Sequence, residues 1–467
     1  MNTKYYDLIN QTFYFPQEEF TLNKDHLMFH NIDLMKLVEQ YGTPLKFTYL
    51  PAISNNINKA KGWFRKAMEK NDYDGKYYYC YCTKSSHFEF VMNEAFKNNI
   101  HIETSSAFDI NIVENLLATG KINKNTYVVC NGFKRENYIE NIARLINNGH
   151  TKTIPVIDNY EELDMLMEQI PTKKIKVGIR IAAEEEPKFE FYTSRLGIGY
   201  KNIVPFYKRT IAENKQVELK MLHFFINTGI RDTAYYWNEL LKCLKVYISL
   251  KRECPTLDSL NIGGGFPIKN SLAFEYDYKY MVEEIVNQIK SACDDAEVPV
   301  PHIFTEFGSF TVGESGGAIY EVVYQKQQND REKWNMIDSS FITTLPDSWA
   351  ISKRFVMMAV NRWNDTYERV LLGGMTCDSD DYYNSEQHMN AVYLPKYNKE
   401  KPLYIGFFNT GAYQETIGGF GGLHHCLIPQ PKHILIDRDE NGIIGTEVFS
   451  PQQTSDDVLK ILGYDKK

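Results

Sequence analysis

Apolar runs with the length and alternation of β-strands recur from residue 45 to residue 310 and are separated by amphipathic helical stretches. The strand-like runs are LKFTYL, KYYYCYCT, IHIETS, TYVVCN, TIPVID, IKVGIRI, MLHFFIN, SLNIGG and HIFTEF. The stretches FEFVMNEAFKNN and AYYWNELLKCLKVYISLKREC carry apolar residues at the i, i+3, i+4 spacing of helices. Strands that alternate with helices predict a parallel sheet. About eight such units predict a closed (β/α)8 barrel, with an open doubly wound sheet as the alternative.

The pattern changes after residue 310. The later runs are short and separated by turn-like stretches: GAIYEVVYQ, ERVLLGG, PLYIGFF, KHILID and TEVFS. Such runs predict a second, mostly β domain. We therefore expect an α/β protein in which a barrel over residues 41–310 is followed by a β-rich domain over residues 311–467. The segment 1–40, with the runs QTFYF and HLMFH, is expected to join the β domain.

Composition and charge exclude several classes of protein. The chain has 467 residues, 43% apolar and 24% charged, which is the balance of a globular protein. Its formal charge of −8 argues against nucleic-acid binding. It has no run of about 20 apolar residues and no signal-like N-terminus, so we expect a cytoplasmic protein without a membrane segment. The cysteines lack zinc spacing, and we expect no metal site and reduced, buried thiols at Cys80 and Cys82.

Two strand-like runs end in a titratable residue. Lys84 closes KYYYCYCTK, and Glu306 lies near the end of HIFTEF. At the carboxyl end of a barrel strand, a partly desolvated lysine can react with an aldehyde, and a carboxylate can keep a pyridine nitrogen protonated. The alternatives are a solvated lysine and a carboxylate paired with a nearby cation, and for Lys84 alone the solvated lysine is favoured.

Three further motifs have polar or flexible residues suited to binding. Gly263, Gly264 and Gly265 follow the run SLNI and would let backbone N–H groups approach a phosphate, unless they only form a tight turn. The segment TCDSDD at 376–381 has a thiol among acids, which suits proton donation and binding of a cation, or is a solvated acidic loop. Tyr413, after IGFFNT, could bind an anion or pack in the core.

Taken in this order, the motifs resemble those of the fold-type III pyridoxal-phosphate decarboxylases, which have an alanine-racemase-like barrel and a C-terminal β domain. The resemblance covers nearly the whole chain. Tyr81 to Lys84 stands at the family's Y-A-x-K motif. Four segments are similar to those of biosynthetic arginine decarboxylases: CNGFK at 130–134, LPDSWAI at 345–351, TCDSD at 376–380 and GAYQE at 411–415.

The resemblance implies a role for each motif. Lys84 would bind pyridoxal phosphate covalently, with Glu103 of IHIETSS near the cofactor and Glu306 facing the ring nitrogen. The phosphate would lie at Gly263, Gly264 and Gly265, and Tyr413 would also contact the cofactor. Cys377 would act on the carbanion side of the reaction, and Asp378, perhaps with Asp380, would bind the distal cation of a small amino-acid substrate. The resemblance also implies a homodimer in which the Cys-Asp segment reaches the neighbouring active site.

The chain departs from the family at two positions. Phe225 stands where a histidine normally stacks on the pyridine ring, and His223 lies two positions earlier, on the same face of a strand. Ser309 stands in place of an arginine, and Arg195 could supply a positive charge instead. The expected reaction is decarboxylation of L-arginine to agmatine. The alternatives are the same chemistry on ornithine, lysine, citrulline or a carboxy-polyamine, and a regulator without catalytic activity.

Overall fold

The computed structural model describes residues 14–184, 193–383 and 392–464. The chain forms two compact units. One, here called the barrel unit, comprises residues 53–267 and 276–311. The other, here called the sheet unit, comprises the described residues of 14–52, 268–275 and 312–464.

Strands and helices of the described residues are numbered in chain order. The strands are β1 (Phe20–Asn23), β2 (His26–Phe29), β3 (Ile32–Asp33), β4 (Leu45–Tyr49), β5 (Tyr77–Cys82), β6 (His101–Thr104), β7 (Val128–Cys130), β8 (Thr153–Ile157), β9 (Ile175–Ala182), β10 (Ile198–Gly199), β11 (Val217–Phe224), β12 (Ser259–Asn261), β13 (His302–Glu306), β14 (Gly316–Gln327), β15 (Lys333–Ile337), β16 (Val356–Ala359), β17 (Tyr367–Gly373), β18 (Val392–Pro395), β19 (Tyr404–Phe408), β20 (Lys432–Arg438) and β21 (Ile444–Ser450). The helices are α1 (Leu34–Tyr41), α2 (Pro51–Lys70), α3 (Glu89–Phe96), α4 (Ala107–Ala118), α5 (Glu136–Asn147), α6 (Glu161–Gln169), α7 (Tyr200–Phe206), α8 (Ala234–Lys251), α9 (Tyr278–Asp295), α10 (Ser309–Val312), α11 (Phe341–Thr344), α12 (Pro346–Ile351), α13 (Gln414–Ile417) and α14 (Ser455–Ile461). Among the described residues, every helix is too short or too polar to cross a membrane.

Eight parallel strands close the barrel in the order β5, β6, β7, β8, β9, β11, β12 and β13, with β13 pairing back to β5. The predicted (β/α)8 barrel is therefore confirmed. Buried side chains fill its interior: Cys80, Val129, Ile154, Val156, Met221 and Phe304. Because all eight strands are parallel, their carboxyl ends meet at one end of the barrel, where (β/α)8 enzymes place their active sites.

The sheet unit contains a mixed sheet in the order β18, β17, β15, β14, β4, β20 and β21, with β19 pairing to β14 and β16. Its core includes Phe29 of β2, which stacks on Phe408 of β19 at 5.5 Å. The run HLMFH supplies β2, whereas part of QTFYF lies outside the described residues. The predicted second β domain is thus confirmed.

One strand was grouped with the wrong sheet. The run LKFTYL has the pattern of a barrel strand, but β4 pairs with β14 and β20, so Phe47 lies opposite Gly317 and Ile434. All five residues of β4 are buried. Its polar residues, Lys46 and Thr48, are buried as well, so the run itself does not show which sheet it joins, and its pairing depends on segments far away in sequence.

Candidate active site

Lys84 lies at the carboxyl end of β5, in a single turn formed by Thr83, Lys84 and Ser85. Its side chain is 45% exposed, and its Nζ is 3.2 Å from Oε2 of Glu103. Glu103 is fully buried on the adjacent strand β6, where it pairs in register with Cys82. The lysine is thus reachable from solvent while a buried carboxylate holds its ammonium group.

Glu306 ends strand β13 on the other side of β5 and is a buried acceptor for three side chains. The amides of Asn131 and Asn261 donate to its Oε1 at 2.7 and 2.6 Å, and His223 Nε2 donates to its Oε2 at 3.2 Å. Burial raises the pKa of Glu306, but the charges of His223 and Lys84 and the hydrogen bonds outweigh burial and lower it. The carboxylate is therefore ionised at neutral pH.

Asn131 joins the two buried acids. Its Nδ2 donates to Oε1 of Glu103 at 3.1 Å as well as to Glu306. Its own Oδ1 is buried and has no hydrogen-bond partner among the described residues, and the same holds for Nδ1 of His223. Neither Asn131 nor Asn261 is predicted from the sequence as a site residue, although both lie in motifs noted above, CNGFK and the NIGGG turn.

The two candidate rings at the end of β11 have different surroundings. His223 is 1% exposed and contacts Glu306. Phe225, one residue beyond the strand, is half-buried, and the guanidinium carbon of Arg180 lies 6.0 Å from its ring centroid. Arg180 belongs to β9, paired in register with His223. Arg195, which the sequence analysis offered as a cation, is exposed.

The three glycines after β12 allow backbone segments to approach closely. A Cβ on Gly263, whose φ is +68°, would lie 2.7 Å from the carbonyl oxygen of Phe224. A Cβ on Gly264 would overlap the carbonyl oxygen of Glu306, and one on Gly265 would lie 2.6 Å from Cα of Gly229. Local packing therefore requires glycine here, whatever else the turn binds.

The acid cluster also contains the one group of metal-ligand atoms found among the described residues. Cys82 Sγ and one oxygen each from Glu103 and Glu306 lie within 4.8 Å of one another, and all three side chains are buried. Lys84 and the three donors around Glu306 already use these oxygens for hydrogen bonds. Burial raises the pKa of Cys82, so its thiol is protonated and donates to the Glu306 carbonyl at 3.1 Å.

The acidic motif lies in the sheet unit, in the loop after β17. Cys377 is exposed, and Asp378 Oδ2 is 3.2 Å from His425 Nε2. The backbone N–H of Asp380 donates to Asp378 Oδ1 at 2.9 Å. Asp381 anchors the loop, because its buried carboxylate accepts from the N–H of Phe341 at 2.8 Å and from the Thr376 hydroxyl at 2.7 Å. Asp378 and Asp380 thus remain at the surface.

Tyr413 is held in an unusual backbone conformation in the sheet unit. Its φ of +69° lies in the left-handed region, which is costly for a residue other than glycine. The next two residues are both anchored. Gln414 Nε2 donates to Asp347 Oδ2 at 2.8 Å, and Glu415 pairs with the buried Lys46 at 2.8 Å. Asp347 belongs to the LPDSWAI motif, so that motif and GAYQE form one hydrogen-bonded structure.

The predicted residues therefore fall into two groups. Lys84, Glu103, His223 and Glu306 form one hydrogen-bonded cluster in the barrel unit. The structure places Cys377, Asp378, Asp380 and Tyr413 in the sheet unit.

Both the sequence and the fold are similar to those of known proteins. Residues 55–313 match the family described as pyridoxal-dependent decarboxylase, pyridoxal binding domain. A biosynthetic arginine decarboxylase of Geobacter sp. (strain M21) is 22% identical, with 94% of this chain and 87% of that protein aligned. The fold is similar to that of a biosynthetic arginine decarboxylase from Campylobacter jejuni, with a TM-score of 0.81, 19% identity, and coverage of 96% of this chain and 89% of that one. A diaminopimelate decarboxylase from M. jannaschii in complex with L-lysine gives a TM-score of 0.78, 18% identity and coverage of 95% and 97%.

Proposed function

The chain belongs to the family of pyridoxal-dependent decarboxylases, and on that premise we propose that its substrate is L-arginine, which it would convert to agmatine and carbon dioxide. Membership makes it a lyase that uses pyridoxal phosphate to decarboxylate a basic amino acid. The choice of arginine is supported by full-length relatives that bear the name biosynthetic arginine decarboxylase. We place the active site in the barrel because of one hydrogen-bonded cluster there, which consists of Lys84, Glu103, Asn131, His223 and Glu306.

The residues at the carboxyl end of the barrel fit pyridoxal phosphate. Lys84 offers an accessible amine, and Glu306 offers a buried, ionised carboxylate for a protonated ring nitrogen. Asn131 Oδ1 and His223 Nδ1 are buried and have no hydrogen-bond partner among the described residues. Both atoms could therefore form a hydrogen bond with a polar group of the cofactor. We assign contact with the phosphate to the glycine turn, namely Gly263, Gly264 and Gly265, and further cofactor contacts to Glu103, Phe225 and Tyr413.

When bound, pyridoxal phosphate supplies an aldehyde that reacts with amines and a ring that accepts the electrons released as carbon dioxide leaves. Glu306 would hold the proton on the ring nitrogen, since its pKa is lowered and its carboxylate is ionised. Glu103 holds the Lys84 amino group, with its Oε2 3.2 Å from Nζ, and would orient the amine toward the bound cofactor. His223 fixes the Glu306 carboxylate by donating to Oε2.

The surface loop of the sheet unit would supply the remaining groups. Cys377 would return a proton from Sγ to the α-carbon, and Asp378 and Asp380 would bind the guanidinium through charge-assisted hydrogen bonds. We also propose a homodimer in which this loop serves the neighbouring subunit, as the family resemblance implies. A cytoplasmic location would keep the thiols reduced.

Carbon dioxide release from a panel of substrates tests the proposed substrate. Purified protein with pyridoxal phosphate is incubated with arginine, ornithine, lysine, citrulline and a carboxy-polyamine, and kcat/KM is compared. We expect the largest value for arginine. A larger value for another substrate would replace arginine, and no release from any of them would favour the regulator without catalytic activity.

Lys84→Ala tests the active-site assignment, with Lys97→Ala as the matched control on an exposed lysine. The first variant should lose both the absorption band of bound cofactor and the activity, and the second should keep both. Mixing Lys84→Ala with Cys377→Ala chains tests the shared dimer. Active mixed dimers are expected, and a mixture as inactive as its parents contradicts the shared site.

A further inference from the structure

Two exposed cysteines of the sheet unit lie in contact. Sγ of Cys377 is 3.3 Å from Sγ of Cys426, although 48 residues separate them in the chain. Both side chains are exposed. The remaining cysteines are all buried and free: Cys80, Cys82, Cys130, Cys243, Cys254 and Cys293. This pair is therefore the one place in the chain where two thiols are both accessible to a solute and close enough to bond.

The two sulfur atoms must move closer together before a disulfide can form, and the loops that carry them allow such a movement. A disulfide has a sulfur–sulfur distance of about 2.05 Å, so the two sulfur atoms must move closer by roughly 1.3 Å. Cys377 lies in the loop between β17 and β18, and Cys426 lies in a short turn before β20. Neither residue belongs to a strand or an α-helix, so no regular secondary structure holds their backbones against the shift that a disulfide requires.

The backbone at Cys426 also has an unusual conformation. Cys426 and Leu427 have φ values of +54° and +53°, both in the left-handed region, where residues with a side chain are uncommon. In this conformation Sγ of Cys426 lies 3.3 Å from Sγ of Cys377. Strain of this kind persists only where the surroundings determine it and is frequent at functional sites.

We propose that Cys377 and Cys426 are a redox modification site that forms an intramolecular disulfide by exchange with a low-molecular-weight disulfide such as oxidised glutathione. One protein thiolate attacks the small disulfide, forms a mixed disulfide and releases one small thiol. The second protein thiolate then attacks the protein sulfur of the mixed disulfide and releases the other small thiol. Two protein thiols are oxidised and one small disulfide is reduced to two thiols, so atoms and electrons balance.

The consequence for activity rests on the proposed function. If Cys377 returns the proton to the α-carbon, the disulfide removes that proton donor and ties its loop to the turn at Cys426. Positioned general acids contribute about 100-fold or more to a rate, so the oxidised protein should lose about 100-fold in activity. A reducing thiol such as dithiothreitol should restore it. The pair thereby makes decarboxylation respond to the thiol–disulfide ratio.

The test uses the full-length holoenzyme in buffers with graded ratios of reduced to oxidised glutathione. After acid quenching, free thiols are alkylated, and the intact mass and a peptide map are recorded beside carbon dioxide release. We expect the thiols of Cys377 and Cys426 to disappear together, with a peptide cross-link between them and a reversible loss of activity over the same ratios. Cys293→Ser, which alters a buried cysteine, should behave as the parent.

The variant Cys426→Ser separates formation of the disulfide from the activity of the reduced enzyme. It should keep the activity of the reduced parent, form no cross-link, and at most carry one glutathione on Cys377. Cys426→Ala serves in its place if the serine variant folds poorly. The inference is overturned if both thiols stay alkylatable at every ratio, if Cys377 is joined to a second chain instead, or if the cross-linked protein is fully active.

Failure of the proposed function gives a different result. In that case the reduced protein releases no carbon dioxide from any amino acid tested, while the mass and peptide map still decide whether Cys377 and Cys426 are joined. A reduced enzyme that is active but never forms the cross-link contradicts the redox site alone.

Discussion

Asn131→Ala removes the amide that joins the two buried acids of the barrel. In the parent protein, Asn131 Nδ2 lies 2.7 Å from Oε1 of Glu306 and 3.1 Å from Oε1 of Glu103. We expect the variant to bind pyridoxal phosphate with a lower rate of decarboxylation, because the carboxylate of Glu306, which we propose faces the ring nitrogen, is less firmly held. Asn131 is thus a positioning residue that acts through Glu306.

The size of the effect follows from what remains around Glu306. A hydrogen bond to a charged group contributes about 1.5–3 kcal/mol. Because Asn261 still donates to the same Oε1 at 2.6 Å and His223 still donates to Oε2, the lower value applies. A loss of about 1.5 kcal/mol corresponds to roughly a tenfold fall in kcat/KM.

A double-mutant cycle with Glu306→Gln isolates the path of the effect. Glu306→Gln keeps the shape of the side chain but removes its charge, and we expect it to lower kcat/KM by about 100-fold. If Asn131 acts through this carboxylate, adding Asn131→Ala to Glu306→Gln should change the rate by less than about threefold. Carbon dioxide release with arginine gives all four values, and Asn147→Ala, which alters an exposed asparagine of α5, is the control.

Two outcomes refute this reasoning. A tenfold fall on adding Asn131→Ala in both the parent and the Glu306→Gln background makes the effects additive, and Asn131 then acts independently of Glu306. A rate within twofold of the parent for Asn131→Ala alone means that Asn261 and His223 suffice to hold the carboxylate.

Three further predictions concern stability. Lys46→Met breaks the pair with Glu415 and leaves its carboxylate with Gln430 Nε2 as a donor at 3.3 Å, so urea unfolding should show a loss of about 3 kcal/mol, the lower end for a broken buried pair. Burial lowers the pKa of His433 to about 4. At this residue the unfolded chain therefore binds more protons than the folded chain below pH 6.5. His433 should thus contribute a fall in stability of about 3 kcal/mol between pH 6.5 and 4, and His433→Gln should remove that contribution. Gly264→Ala should unfold or distort the barrel, because its Cβ meets a neighbouring carbonyl oxygen, whereas Gly62→Ala, in open space on α2, should not, as circular dichroism and melting would report.

The barrel could be predicted because its strands are buried on both sides and alternate regularly with helices. Strands β7 and β8 are buried at every residue, and each appears in the sequence as a continuous apolar run. Strand β4 is also buried at every residue, although Lys46 and Thr48 alternate with its apolar residues, and it pairs with β14 and β20 in the sheet unit. Its hydrogen-bond partners are more than 250 residues away in sequence, and no local pattern encodes that choice.

The acids and the lysine of the candidate site could be singled out from the sequence because each lies at or near the end of a strand and stands in a recognisable motif. The two asparagines that donate hydrogen bonds to Glu306 could not be predicted in the same way. Asn131 and Asn261 follow or end different strands, and they meet Glu306 only because β7, β12 and β13 end at the same mouth of the barrel. Closure of the barrel, and not the sequence around either asparagine, brings their amides to one carboxylate.

The sequence left His223 and Phe225 as alternatives for one position beside the cofactor, and the geometry gives them separate surroundings. His223 is buried and donates to Glu306, so it is tied to the acid that would face the ring nitrogen. Phe225 lies at the mouth with Arg180 beside its ring and offers an apolar face near a positive charge. A single stacked histidine would combine an aromatic face with a titratable nitrogen. Here the aromatic face and the titratable nitrogen are carried by two residues, so replacing Phe225 by histidine would add a second titratable ring without substituting for the hydrogen bond of His223.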